Sequence, residues 1–71
     1  MATIYQAVGN RIRELRAARG WSQEEFADRC RIHRSHMGEI ERGEVDVSIS
    51  TLRKVSKGFG MTVSEFLRGV V

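Results

Sequence analysis

Gln23-Glu24-Glu25-Phe26-Ala27-Asp28-Arg29-Cys30-Arg31-Ile32-His33-Arg34-Ser35-His36-Met37-Gly38-Glu39-Ile40-Glu41-Arg42 is the stretch that decides the fold. Ser22 precedes it, and Glu25 stands three residues later. That pair makes a capping box, in which each side chain satisfies a backbone N–H at the other's position. A helix therefore opens at Ser22–Gln23 and runs through Phe26 and Ala27 to about Arg29. Cys30-Arg31-Ile32 is a tight connection. A second helix runs from about Arg34 to Arg42 and stops at Gly43, where a left-handed residue can close it. A link of three or four residues forces a sharp crossing and close contact. Ala27 is small enough to allow the approach, and Phe26, Cys30, Ile32, Met37 and Ile40 supply apolar surface.

On the N-terminal side, Ile4, Val8, Ile12 and Leu15 recur at helical spacing and mark one apolar face over Ile4–Ala18. Arg11, Arg13, Arg16 and Arg19 lie around the rest, and Gly20 ends the helix. On the C-terminal side, Glu44-Val45-Asp46-Val47 is a loop. Ser48 caps a fourth helix with Leu52, Val55 and Phe59 facing inward. Thr62-Val63-Ser64-Glu65 is a second capping box, opening a short fifth helix with Phe66 and Leu67. Proline is absent, and no β-like alternation persists. The fold class is all-α, five short helices in one domain over residues 1–71.

Length and composition bound the function. A chain of 71 residues buries only about 60% of its unfolded surface, which leaves little room for a catalytic cavity. Lys plus Arg outnumber Asp plus Glu by 12 to 9, a formal charge of +3 that permits nucleic-acid binding without demanding it. Ten of the twelve cations are arginine, suited to bidentate contact with phosphate and guanine; GC-rich coding produces the same bias. The single cysteine, Cys30, cannot form an internal disulfide, and no Cys/His cluster has zinc spacing. No leader or membrane-length apolar run is expected. The expected location is a reducing cytoplasm, with the nucleoid when DNA is bound. No nucleophile–base pair, phosphate-binding glycine loop or metal cluster supports an enzyme, and neither cofactor nor small-molecule ligand is expected.

Two helices fixed at a sharp angle form a helix-turn-helix. The second can lie in a major groove about 12 Å wide while the first crosses the phosphate backbone. Arg34 and Ser35 occupy the first exposed turn of that second helix, and arginine can bond bidentately to guanine. Glu39 lies one turn along. It can accept from a cytosine amino group, exclude wrong bases or pair with an arginine. Gly38 is odd inside a helix, and close approach of its backbone to DNA is the expected reason. His36 can reach phosphate or base or stand free; His33 can touch phosphate or merely end the turn. Arg42 is expected on phosphate. Trp21 is expected as a lid on the core and Cys30 within it.

Trp21-Ser22-Gln23-Glu24-Glu25-Phe26-Ala27, Arg34-Ser35 and Ile40-Glu41-Arg42-Gly43 resemble the phage-repressor (Cro/cI-like, XRE) helix-turn-helix family, with its lambda-repressor-like domain. Ser48-Ile49-Ser50-Thr51-Leu52 and Gly60 to Leu67 resemble its fourth and fifth helices. The likeness covers about residues 8 to 67. The segment Arg34 to Gly43 also looks like the controller proteins of restriction-modification systems. The resemblance implies a phosphate contact at Gln23 and a partly buried ion pair, Arg16 with Glu41, tying the first helix to the third. Two residues depart from the pattern. Arg31 stands where the family has a left-handed glycine, at a cost of about 1 kcal/mol, and His33 replaces the usual Ser, Thr or Asp cap.

The C-terminal stretch is unusually apolar. Met61, Val63, Phe66, Leu67, Val70 and Val71 are expected to build a two-fold homodimer through the fifth helix and the end of the fourth. Such a dimer sets two reading helices about 34 Å apart on a near-palindrome of double-stranded DNA. The leading expectation is a sequence-specific transcriptional regulator. The alternative is an antitoxin-type protein that binds a partner toxin and its own promoter.

Overall fold

The structure is a computed structural model and describes residues 3–70. Five helices follow in order: α1 (Ile4–Ala18), α2 (Gln23–Cys30), α3 (Arg34–Glu41), α4 (Ile49–Gly58) and α5 (Val63–Leu67). The described residues contain no strand. The starts are set by side-chain caps. Ser22 and Thr62 form capping boxes with Glu25 and Glu65, and Ser48 caps α4 through the Thr51 N–H. Thr3 and Gln6 make a third box, at the start of α1. Two bounds differ by one residue from expectation: α2 extends to Cys30, and Arg42 is the C-cap of α3 rather than its last turn.

The core gathers Val8 and Ile12 of α1, Phe26, Ala27 and Cys30 of α2, Met37 and Ile40 of α3, and Val55, Phe59 and Phe66 behind them. Phe26 and Phe59 stack with centroids 4.0 Å apart, and Phe66 extends the stack at 6.3 Å from Phe59. Trp21 closes it at 6.0 Å from Phe26. Ile4, expected on the apolar face of α1, is 53% exposed.

The C-terminal apolar residues are only in part a free face. Phe66 is fully buried in the aromatic stack, and Met61, Leu67 and Val70 pack against the core. Phe66 therefore cannot belong to a dimer interface in this fold. Val63 is half-buried, and Val71 lies outside the described residues. Among the described residues the large apolar side chain left most exposed is Ile49, at 76%, on the first turn of α4.

Candidate nucleic-acid interface

The angle between α2 and α3 is set at the turn. Arg31 adopts φ 57°, ψ 41°, the left-handed conformation, and is the one non-glycine residue among those described with positive φ. Ile32 N–H donates to the Ala27 carbonyl at 3.0 Å and Arg31 N–H to the Asp28 carbonyl at 3.1 Å. These two bonds close a helix that ends on a left-handed residue. Ile32 then turns into the core, which anchors the connection between the helices.

Helix α1 fixes the other end of α3. The Glu41 carboxylate is 2% exposed and accepts from Arg16 Nη2 at 3.0 Å and Arg16 Nε at 3.2 Å. The third guanidinium nitrogen of Arg16 donates to the Trp21 carbonyl at 3.1 Å. Arg13 donates to the Glu41 backbone carbonyl. Gly9 lies where α1 crosses this end, and a side chain there would run into the Ile40 and Glu41 carbonyls. A glycine inside a helix costs about 1 kcal/mol against alanine; close packing of two backbones is the reason for this one. That cost was the sequence signal for Gly9, which sequence reasoning did not single out.

The outward face of α3 carries most of the candidate side chains. His33 is the N-cap: its Nδ1 accepts from the Ser35 N–H at 3.2 Å and lies 2.7 Å from Ser35 Oγ. The imidazole therefore takes the place of a Ser or Asp cap, and Ser35's hydroxyl is tied to it. Arg34 and Glu24 pair at 3.1 Å, both 64% exposed. His36 Nδ1 lies 3.7 Å from Glu39, also on the surface. Arg42 forks onto Glu44 at 2.8 and 3.2 Å, and those hydrogen bonds hold the Glu44 carboxyl below its ordinary range.

Gly38 differs from the expectation of an open backbone approaching DNA. It is buried: a Cβ there would meet Arg42 Nη1 at 3.0 Å and Gln23 Oε1 at 3.5 Å. Its missing side chain makes room for Gln23 and Arg42 to converge over α3. The structure thus brings Gln23, Gly38 and Arg42 together across the α2–α3 junction. Glu24 and Glu44 were missed, because only the helix crossing and the α3–α4 loop carry these acids to their arginines.

Comparison with known proteins agrees with this geometry. The Helix-turn-helix family model matches residues 12–66. The chain belongs to the helix-turn-helix family. Control protein C.BamHI of Bacillus amyloliquefaciens is 35% identical over 60 residues, covering 83% of this chain and 74% of that protein. Control protein C.MunI of a Mycoplasma is 36% identical over 63 residues, covering 87% and 85%. The crystal structure of the restriction-modification controller protein C.AhdI from Aeromonas hydrophila superposes with a TM-score of 0.82 at 35% identity, covering 87% of this chain and 94% of that one. This helix-turn-helix protein is thus a DNA-binding regulator of transcription rather than an enzyme.

Burial pushes the Cys30 thiol up to about 12, so it stays a neutral core group at physiological pH. Among the described residues no His, Cys, Asp or Glu cluster could hold a metal, and no helix is long and apolar enough to cross a membrane.

Proposed function

We propose that the protein regulates transcription of a restriction-modification locus by binding a near-palindromic operator as a homodimer. α3 enters the major groove with Arg34 leading, Ser35 beside it and Glu39 one turn along. Gln23, His33, His36 and Arg42 lie on the phosphates. The observation that carries this reading is the exposed first turn of α3, held at a fixed angle by the buried Arg16–Glu41 pair. The Arg34–Glu24 and Arg42–Glu44 pairs are solvent-exposed, and water screens such pairs so that they add little to stability. DNA can therefore displace either glutamate at little cost. The likeness to controller proteins supports the locus. The dimer rests on the outer sides of Met61, Val63, Leu67 and Val70, all partly exposed, with Ile49 added by its exposure and Phe66 excluded by its burial.

Selection of bound sequences from random duplexes tests the reading. The expected product is two inverted half-sites centred about one helical turn apart. A single half-site would remove the dimer, and no enriched sequence would remove the reading role.

A further inference from the structure

Only two of the twelve Lys and Arg residues, Arg34 and Arg42, stand on the reading helix and its cap. Arg34 and Arg42 share their face with Glu24, Glu39 and Glu44, so that face carries more acid than base. The three arginines of α1 and Arg19 at its C-cap are engaged on other elements. Arg11 donates to the Phe66 carbonyl, Arg13 to that of Glu41 and Arg19 to that of Phe59, while Arg16 holds the Glu41 carboxylate. Of the twelve cations, Arg29, Arg31, Arg53, Lys54, Lys57 and Arg68 have neither an ion pair nor a side-chain hydrogen bond among the described residues, although the Arg29 guanidinium lies over the Trp21 ring at 4.0 Å. Five of these six border two adjoining surface hollows.

One hollow, about 530 Å³, opens between the end of α2 and α4 and is lined by Arg29, Arg31, Lys54 and Lys57. The other, about 410 Å³, lies between α4 and the start of α5; it shares Lys54 and Lys57 and adds Arg53 on its α4 side, while its far wall is Met61, Thr62 and Val63, where it borders the proposed dimer seam. No carboxylate lines either one. All five cations are exposed. Together they form a continuous basic shelf that begins at Arg31, two residues before the His33 cap of α3.

We infer that this shelf is a second phosphate-binding surface, which engages the backbone of the same duplex outside the reading face. The inference rests on the DNA-binding reading above. Phosphate neutralisation supplies the sequence-independent part of DNA affinity. A reading face with three glutamates and two arginines is poorly placed to supply it, and the α1 arginines are held elsewhere. The shelf is acid-free and continuous with the start of α3, which favours the bound duplex over a separate acidic partner. α3 then discriminates among sequences, and the shelf holds the backbone whatever the sequence.

The test is the salt dependence of binding by the full chain carrying Arg53→Gln, Lys54→Gln and Lys57→Gln, all surface changes. Affinity for a selected duplex and a random duplex is measured across a potassium chloride series. Each lost phosphate contact should reduce the slope of log K against log salt by about 0.9, so the triple variant should lose about 2–3 in slope on both duplexes. The ratio of selected to random affinity should stay unchanged. A wild-type slope in the variant would overturn the inference while leaving the reading helix intact. If that variant instead loses the wild type's retention on immobilised polyglutamate, the shelf serves an acidic protein, and the inference again falls. A wild-type chain that binds no duplex would remove the DNA reading itself.

Discussion

The arginines of α1 and those of α3 share a chemistry and serve opposite ends. Arg11, Arg13, Arg16 and Arg19 reach across the molecule to carbonyls at the ends of α5, α3 and α4 and to one buried carboxylate. Helix C-termini leave carbonyls without intrahelical partners and carry partial negative charge, so a guanidinium settles there. Arg34 and Arg42 of the reading helix and its cap meet only glutamates that are themselves exposed. What separates the two sets is the burial of the partner. An arginine on a buried acceptor is part of the fold, and one on an exposed carboxylate can exchange that carboxylate for a phosphate or a base.

The sharpest way to break this comparison is Arg16→Met. It leaves the Glu41 carboxylate, 2% exposed, without its forked partner. Loss of one member of a buried pair costs about 3–5 kcal/mol. In a domain of this size each kcal/mol lowers the melting temperature by about 4–8 °C, so thermal unfolding should show a large drop. Adding Glu41→Leu should recover much of the loss, because the stranded charge is then gone. A loss within about 0.5 kcal/mol, as for an ordinary surface change, would erase the distinction between the two sets.

Arg34→Ala asks the converse. Stability should stay within about 0.5 kcal/mol of the wild type, since both Arg34 and Glu24 are exposed. Affinity for the selected operator should fall by about 1–3 kcal/mol, with a smaller loss on random DNA. Competition binding with the two duplexes measures the difference. Equal losses on both would make Arg34 a phosphate contact and leave base reading to Ser35 and Glu39.

Much of the fold was legible because its boundaries are local. Ser22 with Glu25, Thr62 with Glu65, and glycines at 20, 43 and 60, all left-handed, act within a few residues of one another. The partners of the α1 arginines were not legible. Arg11 and Phe66 stand 55 residues apart and Arg19 and Phe59 40 apart, and nothing local joins them. The burial of Phe66 was hidden for another reason: its stack with Phe59 depends on how α5 folds back on α4, not on sequence spacing. Exposure was overestimated at both Phe66 and Gly38, since an apolar or glycine position does not by itself say which neighbour covers it. Arg31 went the other way. The left-handed turn at Arg31 was implied by the resemblance to a family that has glycine there, and its φ is 57°.

Arg31→Gly carries the smallest expected effect and joins the turn to the basic shelf. Glycine adopts the left-handed conformation freely, whereas a side chain there costs about 1 kcal/mol. The substitution should therefore stabilise the fold by about that amount, read from a shift of the urea midpoint at unchanged slope. The same change removes a cation that lines the hollow beside α2. Random-DNA affinity should weaken and its salt slope should shrink by about 0.9, even as the protein becomes more stable. Opposite movement of stability and affinity is the signature of a strained residue retained for its charge. If both rise together, Arg31 touches no phosphate, and the shelf begins at α4 rather than at the turn.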